Sequence, residues 1–391
     1  MTRVSAPWLT APETESVLRA LATDAAPVYF VGGCVRNALL GRAATDLDLS
    51  TALRPDAIMA RARAAGLKAL PTGLDHGTVT VIAGDSAFEV TTFRRDVATD
   101  GRRAVVAFAE TVEEDAARRD FTINALYATR TGQVLDPVDG LPDLAARRLR
   151  FIGDPATRLA EDHLRSLRIF RFYAQLGPAA ADLDPMALAA VQAAQDGLAR
   201  LSRERVSGEM AKLLATPNPG PALTAMAETG VLARVLPGAE IALIPALVAA
   251  ETAAAVKPDW VRRLVALGGG DRTDDLRLSR KTAARAATLR QAVAGNTAPA
   301  EMAYRQGTAA ARALALLQAA AKGTLPPSDW ADTFAPAAAA VFPLTGADLL
   351  DRYAPGPDLG AALNRLETAW IASGFTLNRA MLLARDTAPS D

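Results

Sequence analysis

The sequence predicts an α+β protein in which a mixed domain of strands and helices precedes a longer all-helical region. Between residues 27 and 135, short apolar or β-branched runs such as VYFVGG, GTVTVIAG and AFEVTTF alternate with helix-like segments such as VRNALLG. After the turn-rich segment LDPVDGLPDL the strand pattern stops, and alanine-rich stretches with helical periodicity follow. A chain of 391 residues is also too long for one ordinary core. The main domain boundary is therefore expected near residue 145.

Proline-rich and glycine-rich segments divide the helical region further. They are ATPNPGPA at 215–222, LGGGDRTDD at 267–275 and GTLPPSDW at 323–330. No repeat of fixed period is visible, so the helices are expected to form an irregular array. With the boundary near 145, the joints at 215–222 and 323–330 divide the chain into four expected domains, and the joint at 267–275 lies within the third. The four domains are 1–145, 146–220, 221–325 and 326–391.

The composition excludes several kinds of site. The only cysteine, Cys34, cannot form an intramolecular disulfide or a cysteine-based zinc cluster, and only His76 and His163 could supply imidazole ligands. The amino terminus has no apolar leader, and no run approaches the roughly 18 apolar residues of a membrane span. We therefore expect a cytoplasmic protein with no membrane partner.

The charge distribution is locally uneven although the net charge is zero, from 43 basic and 43 acidic residues. Residues 145–175 carry seven arginines against three acidic residues, and residues 257–290 carry nine lysines or arginines against four aspartates. Such basic stretches suit phosphate contacts, but solvated helix faces produce them as well.

The first candidate for chemistry is the segment VGGCVRNALLG, residues 31–41. An apolar strand is predicted to end at Val31, Gly32 and Gly33 form a turn, and a short helix follows. Free N–H groups at the start of a helix favour an anion, and Arg36 in the first turn adds a charged donor. A tight turn that serves only close packing is the alternative.

The second candidate is the pair Asp46 and Asp48 in the strand-like run DLDL. Because side chains alternate along a strand, both aspartates project from one face. Two carboxylates so close repel one another unless a cation lies between them, and Mg²⁺ prefers a few carboxylates together with phosphate oxygens. A pair of such ions can activate an attacking hydroxyl and hold a leaving pyrophosphate. A solvated strand end is the alternative, and Glu89 in FEVTTFRRD is a weaker candidate for a third carboxylate.

Two further segments place charged residues beside apolar ones. In RRDFTINA, residues 118–125, Arg118 and Arg119 suit phosphate oxygens, whereas Asp120 could cap a predicted apolar helix over 121–127. In LAEDHLRSLRIFRF, residues 159–172, charged and apolar residues recur at helical spacing. The charged face would hold Asp162, Arg165 and Arg168, and the core-facing stripe would hold Leu164, Leu167 and Phe170.

The Asp162 and Arg165 pair suits recognition of two nucleotide bases. An aspartate accepts a hydrogen bond from an exocyclic amine and an arginine donates one to a ring nitrogen, which fits adenine and cytosine. Guanine and uracil present a carbonyl and a ring N–H at the same edge, so donors would face donors. An ordinary ion pair on a solvated helix is the alternative.

Taken together, these motifs resemble a known family. The order GGxVR, DxD, RRDFTxNA, EDxxR running into LRxxRF, and LSRERV at 201–206 is similar to that of the class II tRNA nucleotidyltransferases and bacterial poly(A) polymerases. The likeness spans about residues 27–375, because the segment FPLTGADLLDRYAPGPDLGAALNRLETAWIASG also resembles the family's C-terminal helical region. The resemblance implies a polymerase-β-like nucleotidyltransferase head, with a small mixed sheet and helices, followed by an all-α neck, body and tail.

The resemblance also implies roles for individual residues. Asp46 and Asp48 would hold two Mg²⁺ ions, and Gly32, Gly33, Arg36 and Arg119 would face the triphosphate. Asp162 and Arg165 would read the base, with Arg168 and Arg171 flanking the nucleotide. The segment 94–110 falls where the family has a flexible loop needed for adding the final A. One residue departs from the family: Asn37 follows GGxVR where aspartate is usual, which puts any ionic role there in doubt.

The expected function is the template-independent addition of C, C and A to the 3′ end of tRNA, with ATP and CTP as substrates. The body and tail would grip the tRNA backbone, partly through the basic stretch 257–290, and no stable protein partner is implied. The alternatives are a poly(A) polymerase or an enzyme that adds only CC or only A. A non-catalytic RNA-binding protein is a further alternative, which the presence of both Asp46 and Asp48 disfavours.

Overall fold

The chain divides into two compact units. The computed structural model describes residues 2–44, 46–99, 104–177, 180–181, 183–326, 330 and 332–386. The first unit is Met1–Pro237 with Asp275–Arg277, and the second is Gly238–Asp274 with Leu278–Asp391. The finer division at 145, 220 and 325 remains a prediction.

The first unit contains the strands. They are β1 (Val28–Val31), β2 (Leu47–Thr51), β3 (Lys68–Gly73), β4 (Thr78–Ala83), β5 (Ser86–Thr92), β6 (Arg94–Thr99), β7 (Ala104–Phe108), β8 (Tyr127–Ala128) and β9 (Val134–Leu135). Within the described residues, seven of them form one mixed sheet in the order β3-β4-β5-β2-β1-β8-β9, and β6 pairs with β7 in a separate hairpin. The small sheet expected for the head is therefore present.

The sheet places β2 between β1, which runs antiparallel to it, and β5, which runs parallel to it. Buried and exposed side chains alternate in the middle of β5, where Phe88 and Val90 are buried and Glu89 is exposed. In the parallel ladder Asp48 is the register partner of Glu89. Because register partners point to the same face, the two carboxylates project from one side of the sheet.

Helices surround the sheet and continue beyond it in the first unit. They are α1 (Pro12–Leu21), α2 (Gly33–Leu39), α3 (Pro55–Ala64), α4 (Val112–Ala117), α5 (Gly140–Ala145), α6 (Pro155–Glu161), α7 (Arg165–Leu176), α8 (Pro185–Ala193), α9 (Arg203–Leu214), α10 (Gly220–Glu228) and α11 (Val231–Val235). The predicted core-facing stripe on α7 and the residue before it is buried, with Leu164 at 7%, Leu167 at 1% and Phe170 at 0% exposure.

The predicted helix over 121–127 is wrong. One short 3-10 helix, Thr122–Asn124, is followed by β8, in which Tyr127 pairs with Val31 of β1. Tyr127 is an aromatic residue of the kind that favours a buried strand position, and in β8 its backbone can pair with the edge of β1. Asp120 does not cap a helix there, because the residue that precedes the 3-10 helix is Phe121.

The second unit is helical. Its helices are α12 (Ile244–Ala253), α13 (Trp260–Ala266), α14 (Arg280–Ala294), α15 (Pro299–Gln306), α16 (Thr308–Ala321), α17 (Ala335–Ala339), α18 (Pro357–Ala372) and α19 (Arg379–Arg385). Trp370 of α18 is buried and meets Tyr304 of α15 edge to face, with ring centroids 5.4 Å apart. These aromatic side chains therefore join α15 to the C-terminal helices.

The basic stretch 257–290 is partly internal. Arg262 and Arg263 of α13 are 3% and 1% exposed, and both pair with the buried Glu251 of α12 at 2.6 Å. Arg285 is bound to Asp259. Arg262 and Arg263 are therefore buried and already paired with a carboxylate, so they are not placed to contact tRNA phosphates, and the role expected for the rest of the stretch remains a prediction.

A membrane segment was not expected from the sequence. In the part of the chain that the structure describes, each helix is too short or too polar to cross a membrane.

Candidate active site

A cavity of about 600 Å³ opens in the first unit. The glycine turn, β2, the RRDFTINA and EDHLRS segments, α7 and α9 all contribute to its wall. Glu89, the weaker candidate for a third carboxylate, is not in the described lining, but the ten residues that the resemblance assigns to the site all line the cavity. These residues are Gly32, Gly33, Arg36, Asp46, Asp48, Arg119, Asp162, Arg165, Arg168 and Arg171. Eight basic residues stand against four aspartates in the described lining, so the cavity suits a polyanion.

The glycine turn brings two chain segments close together. Gly32 has φ +71°, and its N–H donates to the carbonyl of Leu126 at 3.0 Å. A Cβ on Gly32 would lie 3.4 Å from the carbonyl oxygen of Asn124, whereas a Cβ on Gly33 would meet nothing within 4 Å. The first glycine is therefore needed for the turn and the close approach. The second leaves its side of the cavity open.

Arg36 is a buried cation held by neutral groups. Its Nη1 donates to Oδ1 of Asn124 at 2.5 Å, and its Nε and Nη2 donate to Oδ1 of Asn37 at 3.2 and 3.0 Å. Its guanidinium also lies over the ring of Phe172. Burial, reinforced by nearby arginines such as Arg171, lowers its pKa to about 10, so it stays protonated at neutral pH.

Asn37 stands where the resembled family usually has aspartate. Its amide oxygen accepts hydrogen bonds from Arg36 but carries no negative charge. The Arg36 side chain donates to two amide oxygens, one from Asn37 and one from Asn124. In the described part of the chain, no carboxylate lies within ion-pair distance of it. The positive charge of Arg36 is therefore left for an anion in the cavity.

Asp48 lies in β2, whereas Asp46 precedes the strand, so the prediction that one strand carries both aspartates is wrong for Asp46. Burial first, and then the negative charge of Glu89, raise the pKa of Asp48 to about 6, with Asp46 adding to the rise and Arg119 opposing it. Such mutual repulsion is relieved by a cation. The described residues hold no group of three or more acidic, histidine or cysteine side chains placed to bind a metal. The two aspartates are hard oxygen donors that fit Mg²⁺ when substrate phosphates and water complete its coordination.

Arg119 is held by a buried carboxylate and a phenol. Asp115 on α4 is 0% exposed, and its Oδ2 accepts from Nη2 of Arg119 at 2.8 Å and from the hydroxyl of Tyr127 at 2.7 Å. The Tyr127 oxygen in turn accepts from Nε of Arg119 at 3.0 Å. Burial alone would raise the pKa of Asp115, but the charge of Arg119 and the Tyr127 hydroxyl hold it below its usual range.

A second network joins the RRDFTINA segment to α7 and α9. Oδ2 of Asp120 accepts from Nε and Nη2 of Arg168 at 2.7 and 2.5 Å, while its Oδ1 accepts from Asn124 at 3.0 Å. Arg171 donates to the buried Glu209 of α9 at 2.5 Å. The two arginines expected to flank a nucleotide are therefore fixed by carboxylates behind them.

The prediction that Asp162, Arg165 and Arg168 share one helix face is wrong in one respect. Asp162 follows the end of α6 in an extended conformation, with φ −150° and ψ 104°, and α7 begins only at Arg165. The break has a local cause, because Oδ1 of Asp162 accepts from the N–H of Leu164 at 3.0 Å. The side chain thereby competes with helical hydrogen bonding.

Asp162 and Arg165 both line the cavity, but each binds neighbouring groups rather than the other. Oδ2 of Asp162 accepts from Arg205 of α9 at 2.7 Å. Arg165 donates to Glu161 at 2.5 Å and to the carbonyl of Arg118 at 3.0 Å. Each group is thus held in place by neighbours that the sequence analysis did not assign.

Several lining or supporting residues were missed. They are Asp115, Asn124, Tyr127, Glu161, Arg205, Glu209 and Lys212. Some signals were available: Arg205 within the LSRERV motif, and Glu209 and Lys212 just after it, recur at helical spacing. The segment 94–110 forms the hairpin β6 and β7, but residues 100–103 lie outside the described residues, so the loop assignment remains a prediction.

A small mixed sheet with one aspartate on β2 and another just before that strand, joined to helices that supply arginines, defines the class of this protein. It has a polymerase-β-like nucleotidyltransferase fold. Residues 28–150 match the family model described as the poly A polymerase head domain. Residues 182–243 match the model described as a probable RNA and SrmB binding site of polymerase A.

Individual relatives agree with these matches. The chain is 39% identical over 252 residues to the CCA-adding enzyme of Geobacillus thermodenitrificans, covering 64% of this chain and 57% of that enzyme. It is 39% identical over 184 residues to the human mitochondrial CCA tRNA nucleotidyltransferase 1, covering 47% of this chain and 42% of that protein. The matches thus span about half the length of the curated relatives.

Solved structures give a longer match. The CCA-adding enzyme of Bacillus stearothermophilus in complex with CTP superposes with a TM-score of 0.78 at 29% identity, over 97% of this chain and 98% of that one. A Thermotoga maritima CCA-adding enzyme in complex with tRNA shares the fold, with a TM-score of 0.66 at 19% identity over 98% of each chain. The chain is therefore similar to CCA-adding enzymes in sequence over about half of its length and in fold over nearly all of it.

Proposed function

We propose that this protein adds C, C and A to the 3′ end of tRNA, using CTP and ATP and releasing pyrophosphate. One observation carries the proposal: a single cavity combines Asp46 and Asp48 with a set of arginines and with the Asp162 and Arg165 pair. Reaction groups, phosphate-binding groups and base-reading groups are all needed for nucleotidyl transfer without a template.

The triphosphate would lie against the basic wall. Arg36 has a charge that no carboxylate of the described residues neutralises at contact distance, and Arg119 is held by Asp115 and Tyr127. Guanidinium groups offer planar donor forks to phosphate oxygens. Catalysis would come largely from holding the α-phosphate in line with the tRNA 3′-hydroxyl and from stabilising the charge that develops on the departing pyrophosphate.

Asp46 and Asp48 would hold the magnesium ions. Bound there, the ions would lower the pKa of the attacking hydroxyl and stabilise the leaving group. The raised pKa of Asp48 and its proximity to Glu89 support this assignment, because a cation would relieve the repulsion among these carboxylates.

Asp162 and Arg165 would select the base. Arg205 fixes the Asp162 carboxylate, and Glu161 with the carbonyl of Arg118 fixes the Arg165 guanidinium. Asp162 as acceptor and Arg165 as donor match the hydrogen-bonding edge of cytosine or adenine. With uracil or guanine, the Arg165 donor would face the N–H donor of the base. The match of residues 182–243 to an RNA-binding model supports tRNA as the second substrate.

The proposal is tested by extending a tRNA transcript that lacks its CCA end, in the presence of Mg²⁺, with products resolved to single nucleotides. CTP alone should give two added residues, and CTP with ATP should give three. A transcript that already ends in CCA is the matched control and should not be extended. A long ladder from ATP alone would instead establish a poly(A) polymerase, and no extension at all would refute nucleotidyl transfer.

A further inference from the structure

Asp115 supports residues of the cavity wall but is not itself part of the described lining. It is fully buried within α4. Its two oxygens have separate partners: Oδ2 accepts from Arg119 and from Tyr127, whereas Oδ1 accepts from the backbone N–H of Arg94 at 3.2 Å. Arg118 approaches the same Oδ1 at 3.6 Å.

We infer that Asp115 is a positioning residue that sets the Arg119 guanidinium for the phosphates of the incoming nucleotide and anchors the start of β6 to the same point. The inference rests on the proposed function, because it requires Arg119 to contact the triphosphate. It goes beyond that function because Asp115 touches no substrate and acts only through its neighbours.

The geometry explains why a carboxylate is needed. Arg119 presents Nε and Nη2 to Oδ2 of Asp115 at 3.2 and 2.8 Å, while Tyr127 bridges the two side chains with its hydroxyl. An amide in place of the carboxylate has one oxygen only. Either orientation of that amide would set an NH₂ donor against another donor, at Arg119 or at the N–H of Arg94.

A second buried carboxylate supplies a matched control. Asp143 is also 0% exposed and is held by Arg148, by Arg150 and by the hydroxyl of Thr122. It therefore has the same kind of environment as Asp115, two arginines and one hydroxyl. It does not line the cavity and does not contact Arg119.

The test measures dissociation constants of CTP and of cytidine, with Mg²⁺ present, by calorimetry and by NMR titration. Asp115→Asn is expected to weaken CTP binding about tenfold, the equivalent of one charge-assisted hydrogen bond, and to leave cytidine binding unchanged. Tyr127→Phe is expected to weaken CTP binding about threefold and serves if the first variant does not fold. Asp143→Asn should leave both ligands unaffected.

Arg119→Ala separates the inference from the proposed function. If Arg119→Ala weakens CTP binding but Asp115→Asn and Tyr127→Phe do not, Asp115 is not a positioning residue and the phosphate role of Arg119 stands. If Arg119→Ala has no effect on CTP, the phosphate role itself fails and the inference fails with it. Equal losses for CTP in Asp115→Asn and Asp143→Asn would show a merely structural role and overturn the inference.

Discussion

The ion pair between Asp120 and Arg168 should stabilise the first unit measurably. Asp120 is 7% exposed, and its Oδ2 accepts two hydrogen bonds from Arg168, at 2.7 and 2.5 Å. Asp120→Asn would keep the shape and leave the guanidinium without that carboxylate. Removing one partner of a fully buried pair costs about 3–5 kcal/mol.

The expected cost here is smaller, for two reasons visible in the structure. The Arg168 side chain is 31% exposed, so water can solvate part of the stranded charge, and Glu209 remains 3.8 Å away. We therefore expect Asp120→Asn to lower the free energy of unfolding by about 2–3 kcal/mol at neutral pH. Urea denaturation followed by circular dichroism measures this value.

The pH dependence gives a second signature. Burial alone would raise the pKa of Asp120, but the charge of Arg168 and the hydrogen bond from Asn124 hold it below its usual range. A lowered folded-state pKa contributes stability that is present above the unfolded-state pKa of about 3.9 and is lost as the pH falls through the folded-state pKa. Wild type and Asp120→Asn should therefore converge in stability in acid. A loss below about 0.5 kcal/mol that does not vary with pH would refute the reasoning.

Two further predictions concern specificity and the second unit. Arg165→Ala should reduce discrimination against UTP and GTP by about tenfold to a hundredfold, since a base-reading hydrogen-bond pair is worth about 1–3 kcal/mol, and single-turnover incorporation of each nucleotide measures it. Unchanged ratios would remove Arg165 from base reading. Glu251→Gln should lower the free energy of unfolding of the second unit by about 3–5 kcal/mol, because it strands the buried Arg262 and Arg263. Urea denaturation checks this value, and a loss below about 1 kcal/mol would contradict it.

The sequence predicted the parts of the fold that depend on local pattern. The strand before Gly32 and the strand containing Glu89 follow from apolar and β-branched runs, and the buried stripe of α7 follows from helical spacing. The segment 121–127 was mistaken for a helix because its pairing with β1 is a tertiary contact. The break at Asp162 was missed because the apolar and charged periodicity continues across it, whereas the break comes from a local hydrogen bond between the Asp162 side chain and the backbone N–H of Leu164.

In the candidate site, too, the residues in local motifs could be predicted and those placed by tertiary packing could not. The ten predicted residues carry charges or glycines in recognisable motifs, and all of them line one cavity. Their supports could not be found this way, because Asp115 and Glu209 lie on helices in no recognisable motif, and only the packing brings them to Arg119 and Arg171. The pairing of Glu89 with Asp48 likewise required the sheet order.

We propose that nucleotidyl transfer takes place in the cavity beside β2. Asp48→Ala tests it most directly when incorporation of CTP and ATP and binding of tRNA are measured on the same preparation. Asp85→Ala is the control, since Asp85 is an exposed carboxylate in the turn between β4 and β5. We predict that Asp48→Ala loses incorporation by several orders of magnitude and keeps tRNA affinity, while Asp85→Ala retains both. Incorporation by Asp48→Ala at the wild-type rate would contradict the claim.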